Sequence, residues 1–180
     1  PIETMAQHWE LQSNNWENLY QLDFTLDNAR QIFELIYGEM YNVIVHANDV
    51  LRFLEKNGAV IESGQTRDVI EGEARAIRAF VHFDVLRLFG QMPFEPGKTV
   101  RLGYAETVGK QEIPFLDFDS YVEKLLKDLD MAEALLAESD PLLVKSLATL
   151  DETGENEDFF LDYRRFRFNL YAVKALKARV

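Results

Sequence analysis

The sequence predicts an all-α fold of antiparallel helical hairpins joined by long irregular loops. Three observations predict it. Apolar residues recur at alternating threes and fours along several long stretches, the spacing of a helix face. Each of these stretches is bounded by capping or helix-breaking residues. The connection between the two longest is short, which places successive helices antiparallel.

The stretch EGEARAIRAFVHFDVLRLFGQMPF, residues 71–94, organises the rest. Ile70, Ala74, Ile77, Val81, Val85 and Leu88 share one face, and Phe80, Phe83, Leu86 and Phe89 cover much of the remaining circumference. A helix apolar over that much of its surface packs on several sides. Its polar residues fall on a stripe of Glu71, Arg75, Arg78 and His82. Arg78 is expected to be at least partly buried and to need a partner. Gly90 is expected to end the helix in a left-handed cap, and Pro93 prevents its continuation.

Taken in order, residues 1–26 are aromatic and irregular, with Ser13, Asn14 and Asn15 marking a turn between Trp9 and Trp16. A helix is predicted over residues 27–56, capped by Thr25 or Asp27 and ended by Asn57 and Gly58. Its inward face is Ile32, Ile36, Met40, Val43, Ala47, Val50 or Leu51, and Leu54. Ser63 or Thr66 caps the central helix. Residues 91–116 form a long connection with a short extended piece near residues 100–104, and loops of that length are often functional. The next helix spans residues 117–137, with Val122, Leu125, Leu129, Ala132 and Leu136 inward, and Asp140-Pro141 marks its exit. A polar, acid-rich loop follows, and the last helix is predicted over residues 162–180, with Phe166, Leu170 and Val173 inward. These pairs have the geometry of tetratricopeptide-like hairpins, without a strict 34-residue repeat.

Composition narrows the function. The net charge of −12 would repel phosphate backbones, so nucleic acid is an improbable partner. With no cysteine, disulfides, thiolate metal sites and a cysteine nucleophile are excluded. No apolar run approaches the length of a membrane span. His8, His46 and His82 are scattered, and the acidic run over residues 151–158 lacks the EF-hand order of ligands, so neither metal nor other cofactor is expected. P-loop, dinucleotide-binding, nucleophile-elbow and HExxH patterns are missing.

The wording of the central helix carries more than periodicity. Glu73, Ala74, Arg78, Ala79, Phe83, Gly90 and Pro93 fit the pattern E-A-x-x-x-R-A-x-x-x-F-x-x-x-x-x-x-G-x-x-P. That pattern resembles the signature helix of the SusD/RagB family of surface nutrient-binding lipoproteins. Tyr41, Ile44, Ala47 and Asn48 in YNVIVHANDVL resemble the family's preceding helix. FDSYVEKLLKDLDMAEALL, with Asp128, Leu129, Ala132 and Glu133, resembles its later helix. Ala172, Ala175, Leu176, Ala178 and Arg179 resemble the A-x-x-A-L-x-A-R helix that follows.

The resemblance implies the N-terminal portion of a SusD-like helical domain, without the lipidated cysteine or the C-terminal remainder. It implies a non-enzymatic protein on the outer face of the outer membrane, held by a lipid anchor outside this sequence. Its implied role is to bind an oligosaccharide and pass it to a SusC-like TonB-dependent transporter. The alternative is a helical-repeat module that docks a partner protein and has no small ligand of its own. A hydrolase is a poor third reading, because no cleft is implied by the positions of the acids.

A neutral sugar needs flat aromatic faces for its C–H surface and polar groups for its hydroxyls. Trp9, Trp16 and Tyr20, with Asn14, Asn15 and Glu17, offer that set, and Tyr104 and Arg101 in the long loop are further candidates. The competing reading is that these aromatics fill the core, as most do. The Glu71, Glu73 and Asp84 carboxylates lie beside Arg75, Arg78 and Arg87, and are expected to form structural ion pairs rather than an acid–base pair.

Overall fold

A computed structural model describes residues 2–7, 17–25, 27–90, 101–110, 112–143, 161 and 163–180. The helices are α1 (Ile2–Met5), α2 (Glu17–Tyr20), α3 (Asp27–Asn57), α4 (Gly64–Phe89), α5 (Phe118–Ser139) and α6 (Leu170–Lys177). Two short strands, β1 (Leu102–Gly103) and β2 (Phe115–Leu116), lie between α4 and α5 and pair antiparallel, Leu102 opposite Leu116. The expected all-α architecture stands. The chain divides into a unit of residues 1–41 and a larger unit of residues 42–180, with α3 running through both.

In the first unit, Leu19 and Ala29 are buried, and Phe24 meets Phe33 edge to face with centroids 5.4 Å apart. Tyr37 and Tyr41, one helical turn apart on α3, meet at a tilt of 36° with centroids 4.7 Å apart.

The core of the second unit forms where α4 packs on α5, and α5 in turn on α6. Val69, Ala76, Ala79 and Val85 of α4 are fully buried, as are Leu125, Leu129, Ala132 and Leu136 of α5. Each large aliphatic side chain so buried contributes about 1.5–3 kcal/mol of transfer free energy. Small residues set the closeness of the pair. A Cβ on Gly72 would stand 2.8 Å from Leu136 Cγ, so α4 approaches α5 there as only glycine permits.

Ser63 is the cap expected for α4, whereas Asp117, expected inside its helix, stands just before it as the cap. The Ser63 hydroxyl accepts from the Thr66 amide at 3.1 Å to start α4, and Asp117 accepts from Ser120 at 2.8 Å to start α5. Four further expectations need correction. Gly90 is extended (φ −84, ψ −176), not left-handed; glycine is needed because a Cβ would lie 2.3 Å from the Leu86 carbonyl oxygen. The inward face of α3 in the second unit runs through Ile44, Ala47 and Leu54, while Val43 and Val50 are exposed, because Asn48 also has to reach inward. The last helix starts only at Leu170, where Asn169 caps it by accepting from the Ala172 amide at 2.9 Å; Leu170 and Val173 are inward as expected, but Phe166 precedes the helix and is exposed. Upstream, Tyr163 takes a left-handed backbone (φ 55) and Arg164–Phe166 makes a single 3-10 turn.

The fourth correction concerns α4. Leu88, expected on its apolar face, is 43% exposed, while within the polar stripe Arg78 is buried, as expected, and His82 is buried with it. The reason is that partners for these polar groups arrive from α5 and from the loop after β1.

Candidate functional site

Two buried polar centres hold the second unit together, and a cleft opens beside the first. Arg78 is the hub of that first centre. Its Nε and Nη2 donate to Asp128 Oδ2 and Oδ1 at 2.7 and 2.5 Å, and its Nη1 donates to Asn48 Oδ1 at 2.7 Å. Asn48 Nδ2 donates onward to the Ala105 carbonyl at 3.0 Å, and Tyr104 Oη donates to Asp128 Oδ2 at 2.7 Å. Helices α3, α4 and α5 and the β1 loop are thereby fastened at one point. A paired, fully hydrogen-bonded buried charge avoids most of the desolvation penalty that an orphan would incur. Burial opposes the Arg78 charge, but the Asp128 bonds outweigh it and hold the guanidinium above its usual pKa.

His82 extends the centre. The Ala105 amide donates to Nε2 at 3.2 Å, which leaves the proton on Nδ1, 2.7 Å from Tyr121 Oη. Tyr121 passes its own proton to the His82 carbonyl at 3.0 Å, so the chain of donors closes. The Tyr104 ring stacks on the imidazole with centroids 3.9 Å apart. Burial, helped by the Arg78 charge, pushes the His82 pKa down to about 3, and the imidazole is neutral at neutral pH.

The second centre is built on Arg164, which is fully buried. It pairs with Glu73 of α4, and its Nη2 and Nε donate to Asp140 Oδ2 and Oδ1 at 3.0 and 3.3 Å. Asp140 Oδ2 also accepts the Leu170 amide at 2.9 Å, so one carboxylate ties the exit of α5 to the start of α6. Burial holds the Glu73 carboxyl above its ordinary pKa, against the pull of Arg164 and Arg167.

The cleft lies within the second unit and encloses about 1100 Å³. Its α3 wall carries Asn48, Leu51, Arg52 and Glu55; its α4 wall carries Arg67, Asp68, Glu71, Arg75 and Arg78; Glu106, Thr107 and Val108 close it. Arg75 donates to Glu71 Oε1 through Nε and Nη2 at 3.0 and 2.7 Å, and Arg52 meets Asp49 at 2.6 Å. Glu106 pairs with Lys124 outside the cleft. These groups combine donors and acceptors with an apolar area of Leu51, Leu54 and Val108. That suits a ligand rich in hydroxyls, each of which both gives and takes a hydrogen bond.

Of the residues expected from sequence to meet a ligand, Trp9, Asn14, Asn15 and Trp16 lie outside the described residues. Tyr20 stands half-buried at the end of α2, where its carbonyl accepts from Gln7 Nε2 at 3.0 Å. Tyr104 is a correction: it is 3% exposed, with its hydroxyl on Asp128 and one face on His82, and presents no rim to a ligand. Arg101 is exposed. The cleft residues Arg52, Arg67, Glu106 and Thr107 were not foreseen, because a gap between helices leaves no periodic mark in either one. Among the described residues, no group of three or more His, Asp or Glu is placed to hold a metal, and no helix is long and apolar enough to cross a membrane.

A SusD-like family model, described as starch-binding associating with outer membrane, matches residues 2–150. No curated protein and no solved structure matches the chain.

Proposed function

Because the chain belongs to the SusD-like family, we propose that it captures an oligosaccharide at the outer face of the outer membrane and delivers it to a SusC-like TonB-dependent transporter. The family's description supplies the starch-like ligand and the membrane association. The observation that carries the reading to particular residues is the polar cleft between α3 and α4. Arg78, Arg75 and Glu71 in its α4 wall are held in place before any ligand arrives, by the Arg78–Asp128 and Arg75–Glu71 bonds. Preorganisation of that kind lowers the ordering cost of binding.

Binding without catalysis is the better-supported role. Glu71, Asp68 and Glu106 each stand within ion-pair distance of a cation, and Glu55, the fourth cleft carboxylate, is exposed to solvent. None is the isolated, desolvated carboxyl that serves as a general acid near neutral pH. Trp9, Trp16 and Tyr20, with Asn14 and Asn15, remain proposed sugar contacts of the first unit.

Titration of the chain with maltoheptaose, followed by calorimetry, tests the reading. Saturable binding that weakens in Arg52→Ala/Arg67→Ala supports the cleft, and weakening in Trp16→Ala or Tyr20→Ala supports the N-terminal contacts. No saturable binding to maltoheptaose or to a broad oligosaccharide array would sink it.

A second reading, docking of a partner protein without a small ligand, has one observation in its favour. Val43, Val50 and Phe53 are 43%, 39% and 48% exposed. Their spacing of seven and three puts them on one side of α3. Retention of the transporter by the chain, together with silence across the oligosaccharide array, would favour it.

A further inference from the structure

We infer that His82 is a positioning residue for the cleft: it meets no ligand, but it sets where Glu106, Thr107 and Val108 stand and so how tightly the cleft holds an oligosaccharide. The inference rests on the glycan reading above. His82 is fully buried and lies outside the cleft lining, whereas Glu106, Thr107 and Val108 form one side of it. The connection is Ala105, the residue immediately before that side. Its amide donates to His82 Nε2 at 3.2 Å, and its carbonyl accepts from Asn48 Nδ2 at 3.0 Å. The peptide groups on both sides of the Ala105 Cα are therefore held by buried side chains, which fixes the direction in which the chain leaves for Glu106. Arg78 Nη1 reaches the Glu106 carbonyl at 3.4 Å, and Lys124 pairs with the Glu106 carboxylate from outside the cleft. Gly109, at φ 135, then turns the chain in a way that suits glycine. Glu106, Thr107 and Val108 are thus a short span between two fixed points.

The imidazole is itself held on three sides. Tyr104 stacks on it with centroids 3.9 Å apart, Tyr121 Oη lies 2.7 Å from Nδ1, and the Ala105 amide meets Nε2. Burial keeps the ring neutral, with its pKa pushed down to about 3, so Nε2 remains an acceptor. An apolar side chain could fill the space between Tyr104 and Tyr121. Only an acceptor can satisfy the Ala105 amide, which is buried with Ala105 and would otherwise carry a desolvation penalty. That amide belongs to the segment that walls the cleft, so the cost of losing the bond falls on the wall. A binding site whose supporting groups are loosened loses affinity even when every contact residue is still present.

Calorimetric titration of the whole chain with maltoheptaose, with thermal melting and hydrogen exchange at the amides of residues 105–108, tests the inference. Asparagine ends where Nδ1 of a histidine stands, and glutamine reaches to the position of Nε2. His82→Asn therefore keeps a donor for Tyr121 and removes the acceptor for Ala105, and His82→Gln does the reverse. Both should melt below the unaltered chain. His82→Asn is expected to weaken binding roughly three- to tenfold and to speed exchange at these amides, the worth of one hydrogen bond, while His82→Gln binds nearly as the unaltered chain does. Asn169→Ala, which loosens the other buried centre, is expected to melt lower and to bind normally. Lys124→Ala removes the outer tie of Glu106 without touching the core, and is expected to weaken binding roughly twofold. Affinity that merely follows melting temperature across these variants overturns the inference. Should neither His82 variant fold, Lys124→Ala decides, and unchanged binding there overturns it. If His82→Asn binds normally while Arg52→Ala/Arg67→Ala is weakened, the role of His82 is wrong and the glycan reading stands. If the unaltered chain does not bind, the two fall together.

Discussion

Arg78 of α4 and Asp128 of α5 lie fifty residues apart in sequence and meet fork to fork, at 2.7 and 2.5 Å, with both side chains 5% exposed. Each is among the motif residues that carry the family resemblance, and so are Asn48 and Glu73, which join the two buried centres. The motifs thus record the way the helices are fastened together.

Removal of one partner should therefore cost far more than removal of both. Arg78→Met leaves the Asp128 charge buried without its main counterion, which costs about 3–5 kcal/mol, a large part of a domain's stability. Arg78→Met/Asp128→Leu should recover much of that loss. Urea unfolding of the single variants and the pair measures the coupling; equal losses in the single and double variants would contradict it.

Stability should fall in acid through His82. Its folded pKa, about 3, is depressed below the unfolded value of 6.5, so its contribution is complete above pH 6.5 and is lost as pH falls towards 3. The slope from this residue approaches about 1.4 kcal/mol per pH unit. The groups facing the imidazole are Tyr104, Tyr121, Arg78 and Asp128; Tyr104 is held above its ordinary pKa by burial and Asp128, so it stays neutral. Glu73 acts oppositely: its raised pKa gives stability that is complete below 4.5 and lost as pH rises through the folded value. His82→Gln should be less stable at pH 7 and show a flatter loss between pH 6.5 and 4.

Gly72 and Leu136 should show strong coupling. Gly72→Ala places a methyl 2.8 Å from the Cγ of a leucine that is itself fully buried, so the leucine cannot swing away. Overpacking of this kind costs about 1–3 kcal/mol, and Leu136→Ala alone costs about 2–5 kcal/mol through its cavity. The double variant should lose clearly less than the sum, as read from the shift in urea midpoint.

Asn169→Ala should cost about 1 kcal/mol by uncapping α6, and more if the lost bond to the Arg164 carbonyl loosens the turn. Loss of helical circular dichroism confined to a few residues, with the main transition displaced, is the expected signature.

These cases mark what the sequence could and could not disclose. Helices α3, α4 and α5 were legible because their apolar periods are local, and Ser63 acts as the cap expected of it. The inward turn of Arg78 and His82 was only partly legible: a demand for a partner can be read from one helix, but Asp128 and Tyr121 come from another. Tyr104 looked like a loop aromatic until His82 and Asp128 were found around it. The late start of α6 was hidden because Arg164 resembles an ordinary helix-surface arginine, and only Glu73 and Asp140 reveal it as an anchor. The cleft left no trace at all, being a property of the space between two helices.

Calorimetric titration of the chain with maltoheptaose, repeated on Arg52→Ala/Arg67→Ala, bears most directly on the central claim that a glycan sits between α3 and α4. Both arginines are exposed at the cleft rim, so the variant should melt within a degree or two of the parent. The predicted result is saturable binding by the parent and at least roughly tenfold weaker binding by the variant, the worth of one to two charge-assisted hydrogen bonds. Equal affinity in the two proteins would contradict the account.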